Sequence, residues 1–207
     1  MSGTFPTTIK PSSLSLQDNR PNLINQSVSG KRVTRKYGSQ FFTLDITLPS
    51  LSKDDAMDVF AFLKKQQNSF DKFDYTYPIT NRGANRSQTD IVVNGSHSVG
   101  DTTIALSGFD NSTTDVLKAG DIIKFANHDK VYMVTKDNSD PPVNPSSDGS
   151  GDATVTISPG IIATLANSEA VTVDQPTFKV YLDSDILYTT NTTGLFSISF
   201  TLRECIE

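Results

Sequence analysis

The sequence predicts a mainly β chain, of the α+β class, in which one small β domain is split by a second one inserted into it. Three observations carry this reading. Phe42-Thr43-Leu44-Asp45-Ile46-Thr47-Leu48 alternates apolar and polar residues without a break, and Phe196-Ser197-Ile198-Ser199-Phe200-Thr201-Leu202-Arg203 does the same about 150 residues later. Each reads as a half-buried strand that needs a partner to complete its sheet. Between them the chain carries its own series of short strand signals, so a host domain of residues 1–83 plus 177–207 interrupted by an insert of 84–176 is the simplest layout.

In chain order, residues 1–30 are polar with scattered prolines and glycines and the short apolar pairs Leu14/Leu16 and Leu23/Ile24, which predicts an extended arm or short edge strands. Residues 31–49 read as one long strand ending at Pro49, which cannot donate to a ladder. Ser52 is a helix N-cap, Asp54 and Asp55 suit the positive first turn, and Ala56, Val59, Phe60 and Leu63 form one apolar stripe. Lys64 and Lys65 suit the last turn, and the helix is expected to end near Asn68. Phe73, Tyr75 and Tyr77 then alternate toward Pro78, a returning strand.

Asn81 to Ser87 is a polar boundary. Strand signals follow at Ile91–Val93, Thr103–Leu106, Leu117–Phe125, Lys130–Thr135, Thr154–Ile157 and Ala170–Val173, with turn residues at Asn94-Gly95 and Asn127-His128-Asp129. This spacing fits a small OB-like barrel or sandwich. Residues 136–152 are rich in Asp, Ser, Pro and Gly and predict an exposed, mobile loop. The host domain resumes with Phe178/Val180/Leu182, a turn at Thr189–Gly194, and a last strand over 195–204.

Composition narrows the function classes. The 207 residues contain one cysteine, Cys205, so neither an internal disulfide nor a Cys-based zinc site is available. The first residues, MSGTFPTTIKPSS, lack the apolar segment of a signal peptide, and no apolar run approaches the ~20 residues of a membrane span. The net charge of −5 is unevenly spread: residues 1–40 hold six Lys/Arg against one Asp, and residues 84–176 hold five against twelve Asp/Glu. Lys31, Arg32, Arg35 and Lys36 therefore form either a basic subunit-interface segment that meets an acidic neighbour or a solvated strand with charged edges. Specific nucleic-acid binding is not expected, because Tyr37 is the only aromatic interleaved with these cations and the rest of the chain repels phosphate.

Catalytic motifs are sparse. The two histidines, His97 and His128, belong to no His-Glu-x-x-His, and no Gly-x-Ser-x-Gly or phosphate-cradling loop occurs. His128-Asp129 beside Lys130 sits in a predicted turn, where such residues are ordinary. Cys205 reads as a small apolar filler at a strand end. The Asp-rich loop 137–152 offers calcium-type oxygens without EF-hand spacing and is read as a solvated loop. Sequons at Asn25, Asn85, Asn94, Asn111 and Asn191 reflect a chain rich in Asn, Ser and Thr. No enzyme, cofactor or metal is expected.

Leu117-Lys118-Ala119-Gly120-Asp121-Ile122-Ile123-Lys124-Phe125, followed by His128 and Lys130–Thr135, resembles the insert of bacteriophage distal tail proteins that carry an OB-fold domain. Tyr37–Phe42, the helix Ala56–Lys65 with Phe73-Asp74, and the final strand Phe196–Glu204 resemble the same family, so the resemblance covers most of the chain. It implies a tail-tube-like β-sandwich with one flanking helix. It also implies a hexameric ring at the distal end of the tail in the virion, joining the tail tube protein to the hub, tape-measure or fibre proteins of the tail tip or baseplate. The OB-like insert would project as a surface module. Carbohydrate or host-surface binding through that insert is the alternative, and it calls for exposed aromatics where residues 84–176 offer only Phe109, Phe125 and Tyr132.

Overall fold

A computed structural model describes residues 3–190 and 194–206. The chain divides into two compact units, one running to Phe73 and resuming from Val180 to Ile206, the other spanning Asp74 to Lys179. The chain is mainly β, and its one helix among the described residues is too short and polar to cross a membrane.

The first sheet contains β1 (Ser13–Asn19), β4 (Phe41–Thr47), β5 (Phe73–Thr76), β12 (Thr177–Leu182), β13 (Leu187–Thr190) and β14 (Phe196–Glu204). Its order is β1-β4-β14-β12-β5, with β13 beside β14, and β5 and β12 run across the division between units. Strands from the two chain ends are direct neighbours: Leu44 lies opposite Leu16 and Leu202, and Ile46 opposite Leu14 and Phe200. Alternation therefore gathers Phe42, Leu44, Ile46, Ile198, Phe200 and Leu202 on one buried face, each side chain contributing about 1.5–3 kcal/mol by leaving water.

Helix α1 (Lys53–Lys65) covers that face. Ser52 caps it, its Oγ accepting from the Asp55 N–H, and Ala56, Val59 and Leu63 are buried as the stripe requires. Phe62 adds a contact the stripe did not include, standing edge-on to Phe5 at 5.9 Å and to Phe73 at 5.4 Å. Where a β-sandwich was expected, a six-stranded sheet carries the helix on its apolar face.

Two expectations about this unit are corrected. Residues 31–49 do not form one strand: β3 (Arg32–Lys36) stops before β4, and it pairs with β2 (Asn22–Gln26) rather than within the main sheet. Pro21, which has no N–H, lies at this break, and the register shifts there: Asn19 pairs with Phe41 but Asn22 with Lys36, leaving two residues opposite four. Thr189 and Thr190 belong to β13 rather than to a turn, because they pair with Ser197 and Phe196; residues 191–193 of the expected turn lie outside the described residues.

The second unit holds β6 (Val92–Val93), β7 (Thr103–Ser107), β8 (Ile122–Phe125), β9 (Val131–Thr135), β10 (Ala153–Ser158) and β11 (Val171–Thr172), antiparallel in the order β11-β8-β9-β10-β7-β6. Ile104, Leu106, Ile123, Phe125, Tyr132 and Val155 lie in its core. The two end strands meet at the isolated bridge Val92–Ala170, flanked by Val171 N–H to Ile91 O, Val93 N–H to Glu169 O and Ser168 N–H to Val93 O, all 2.9 Å. No continuous ladder closes the sheet into a barrel.

Residues 81–83 are stitched into this unit. The Asp121 carboxylate, 1 % exposed, accepts the N–H groups of Arg82 (2.8 Å), Gly83 (2.9 Å) and Lys118 (2.8 Å). The Asn81 side chain donates to Ile122 O and Val173 O and accepts from Ile122 N–H. Both expected boundaries, 83/84 and 176/177, fall inside the second unit. The loop over 136–152 is also tied down, where a mobile loop was expected. Val116 N–H donates to Pro145 O and Ser147 N–H to Thr113 O, and Pro145 and Ser147 are buried.

Candidate assembly surface

The basic segment singled out from the sequence lies on a two-stranded ribbon. Strands β2 and β3 pair from Asn22↔Lys36 to Gln26↔Arg32, and every residue of both is exposed. The turn closes with Ser27 N–H on Lys31 O (3.0 Å) and Gly30 N–H on Ser27 O (2.8 Å). Gly30 takes φ +80°, a conformation that favours glycine. At the base, Asp18 pairs with Arg20 at 2.7 Å and accepts from Gln40 Nε2 at 2.7 Å, and Tyr37 N–H reaches Pro21 O.

Lys31, Arg32, Arg35 and Lys36 are therefore all exposed on one ribbon, with Arg35 on one face and Arg32 and Lys36 on the other. The structure adds what the charge count missed. Leu23, Ile24, Val33 and Tyr37 interleave with these cations and are 58–65 % exposed. Their signal in the sequence was the cluster Ser27-Val28-Ser29-Gly30 between two five-residue strands. A lone two-stranded ribbon with both faces in water is marginal in stability, so its apolar side chains call for a cover.

The remaining candidates are spread apart and serve the fold. His128, 8 % exposed, lies in the β8–β9 turn with Nε2 2.7 Å from the Tyr132 hydroxyl, which itself accepts Ile162 N–H at 3.1 Å. The hydroxyl hydrogen thus points at Nε2, and Nδ1–H faces Asn127 Oδ1. Burial holds the His128 pKa below the usual histidine value, helped by the Lys124 charge. His97 Nε2 accepts the Ala105 N–H at 3.2 Å. Lys124 pairs with Asp129 at 3.1 Å.

In the Asp-rich loop, Asp137 is pulled below the usual carboxylate range by the Val143 N–H and the Ser139 hydroxyl. The N–H groups of Asp152 and Ser150 do the same for Asp148. These carboxylates cap their own loop. Among the described residues, no group of three His, Cys, Asp or Glu side chains converges as a metal site. Phe109, Phe125 and Tyr132 are all buried, so none of them offers a face for stacking a sugar. Cys205 is half-buried and Asn85 is buried, while Asn191 lies outside the described residues.

No protein-family model matches this chain, and no curated protein sequence matches it.

Proposed function

We propose that this chain is a non-enzymatic structural protein of a phage virion, a distal tail adaptor. Six copies form a ring that joins the tail tube to the hub or fibre complex at the tail tip. The observation that carries the reading is the discontinuous layout. One unit is built from both chain ends, with Leu44 of β4 directly opposite Leu202 of β14, and a second β unit is inserted between them. That is the arrangement of the tail-protein family the sequence resembles. A tail-tube-like fold for the first unit is supported by the six-stranded sheet that joins the two chain ends, with one helix on its apolar face. An OB-like barrel for the second is supported by the near closure at Val92–Ala170. The exposed ribbon supplies a contact element of the kind a ring subunit needs.

The test is labelling of intact phage particles with antibodies raised against this chain, viewed by negative-stain electron microscopy. Label confined to the tail tip is the expected result. Label along fibres, or none on particles, overturns the reading and moves a saccharide-binding role to the front.

A further inference from the structure

The two faces of the ribbon differ in a way that selects one for docking. Residues directly opposite each other across an antiparallel pair share a face. Leu23 pairs with Arg35 and Asn25 with Val33, so these four share one face, and Tyr37 continues the row by alternation. Ile24 pairs with Thr34, Gln26 with Arg32 and Asn22 with Lys36 on the other. The first face thus presents three large apolar side chains around one guanidinium, and the second a single isoleucine among polar groups. Tyr and Arg are enriched among the residues that dominate interface energetics, and Leu23 and Val33 add apolar area beside them.

The geometry points to the Leu23–Val33–Arg35–Tyr37 face as a docking surface for a second copy of this same chain. This deepens the ring reading and rests on it. Charge identifies the occupant. Residues 1–40 carry a net +5, and residues 41–207 carry twelve Lys/Arg against twenty-two Asp/Glu, a net −10. The body of another copy is therefore an electrostatically complementary target for the ribbon. A ribbon laid on a different surface of the next copy is a head-to-tail contact, which generates a ring when the rotation closes.

Leu23 and Ile24 make a matched test, being adjacent, 58 % and 60 % exposed, and on opposite faces. Full-length Leu23→Lys and Ile24→Lys each gain one positive charge on an exposed strand. Self-association is read by sedimentation velocity from micromolar to millimolar protein, with chemical cross-linking as a second readout. Leu23→Lys is expected to weaken association at least about tenfold, the factor from losing one buried leucine, and Ile24→Lys no more than about twofold. Val33→Lys should match Leu23→Lys, and added salt should weaken the wild-type contact.

Equal effects of Leu23→Lys and Ile24→Lys overturn the assignment of the face. A wild-type chain that neither sediments as an oligomer nor cross-links overturns docking on a second copy. The adaptor reading fails separately, in particle labelling. Tip label with equal variant effects keeps the adaptor and removes the docking face. Unlabelled particles with selective loss in Leu23→Lys do the reverse.

Discussion

Replacing Asp121 by alanine should unpin the start of the second unit. Its carboxylate accepts three backbone N–H groups, from Arg82, Gly83 and Lys118, at 2.8–2.9 Å. The Gly83 donor is fully buried, whereas those of Arg82 and Lys118 are part-buried and regain some water. At about 1–3 kcal/mol for each buried donor left without a partner, the loss comes to about 3–5 kcal/mol. That is a large share of the roughly 5–15 kcal/mol that holds a domain together. With a urea dependence near 2 kcal/mol per molar, the unfolding midpoint of the second unit should fall by about 1.5–2.5 M. The assay is amide hydrogen exchange in urea, read on peptides covering β8 and β9, which isolates this unit from the first. Asp121→Asn keeps an oxygen for Gly83 and Lys118 and should fall between wild type and alanine. A midpoint shift below about 0.5 M for Asp121→Ala would refute the claim that this carboxylate anchors residues 82–83.

The second unit should also respond to acid through His128. Its pKa is depressed in the folded state, so its contribution is complete above the ordinary value near 6.5. That contribution is lost as pH falls toward the folded-state value. Amide protection at Ile162, which donates to the Tyr132 hydroxyl beside His128, should drop over this window after correction for intrinsic exchange; His128→Gln should flatten the profile. Gly83→Ala should destabilise the second unit by at least about 2 kcal/mol. Its new methyl group would overlap Val116 O and come within 2.6 Å of Leu117 Cα, both backbone atoms. Gly149→Ala, where nothing lies within 4 Å, serves as the neutral control, and equal urea midpoints for the two variants would contradict the packing argument.

Much of this architecture was legible because local patterns and tertiary environment agree. The alternation in Phe42–Leu48 and Phe196–Arg203 became the buried face of one sheet, since a period of two puts every apolar residue on one side. Ser52, the two aspartates after it and the stripe Ala56–Val59–Leu63 fixed the helix, its cap and its buried side. Short strands in the middle were placed by the turn residues that bound them, but the one expected over Leu117–Phe125 begins only at Ile122, after a turn at Ala119-Gly120. The cationic segment stood out by charge alone.

The β class, the helix, the positions of most strands and the run of cations at 31–36 are therefore written in the local sequence. Each depends on periodicity, capping or charge within a short window. The rest came from long-range packing. It broke the segment 31–49 between Lys36 and Phe41, put Phe62 against Phe5 and Phe73, and tied Arg82 and Gly83 to Asp121 some forty positions away. It also pinned the Asp-rich loop through backbone bonds to residues near 113–116, and it sorted Leu23 and Ile24 onto opposite faces of an exposed ribbon. These outcomes turn on which distant backbone group meets which side chain, and a local pattern of hydrophobicity or charge holds no information about that.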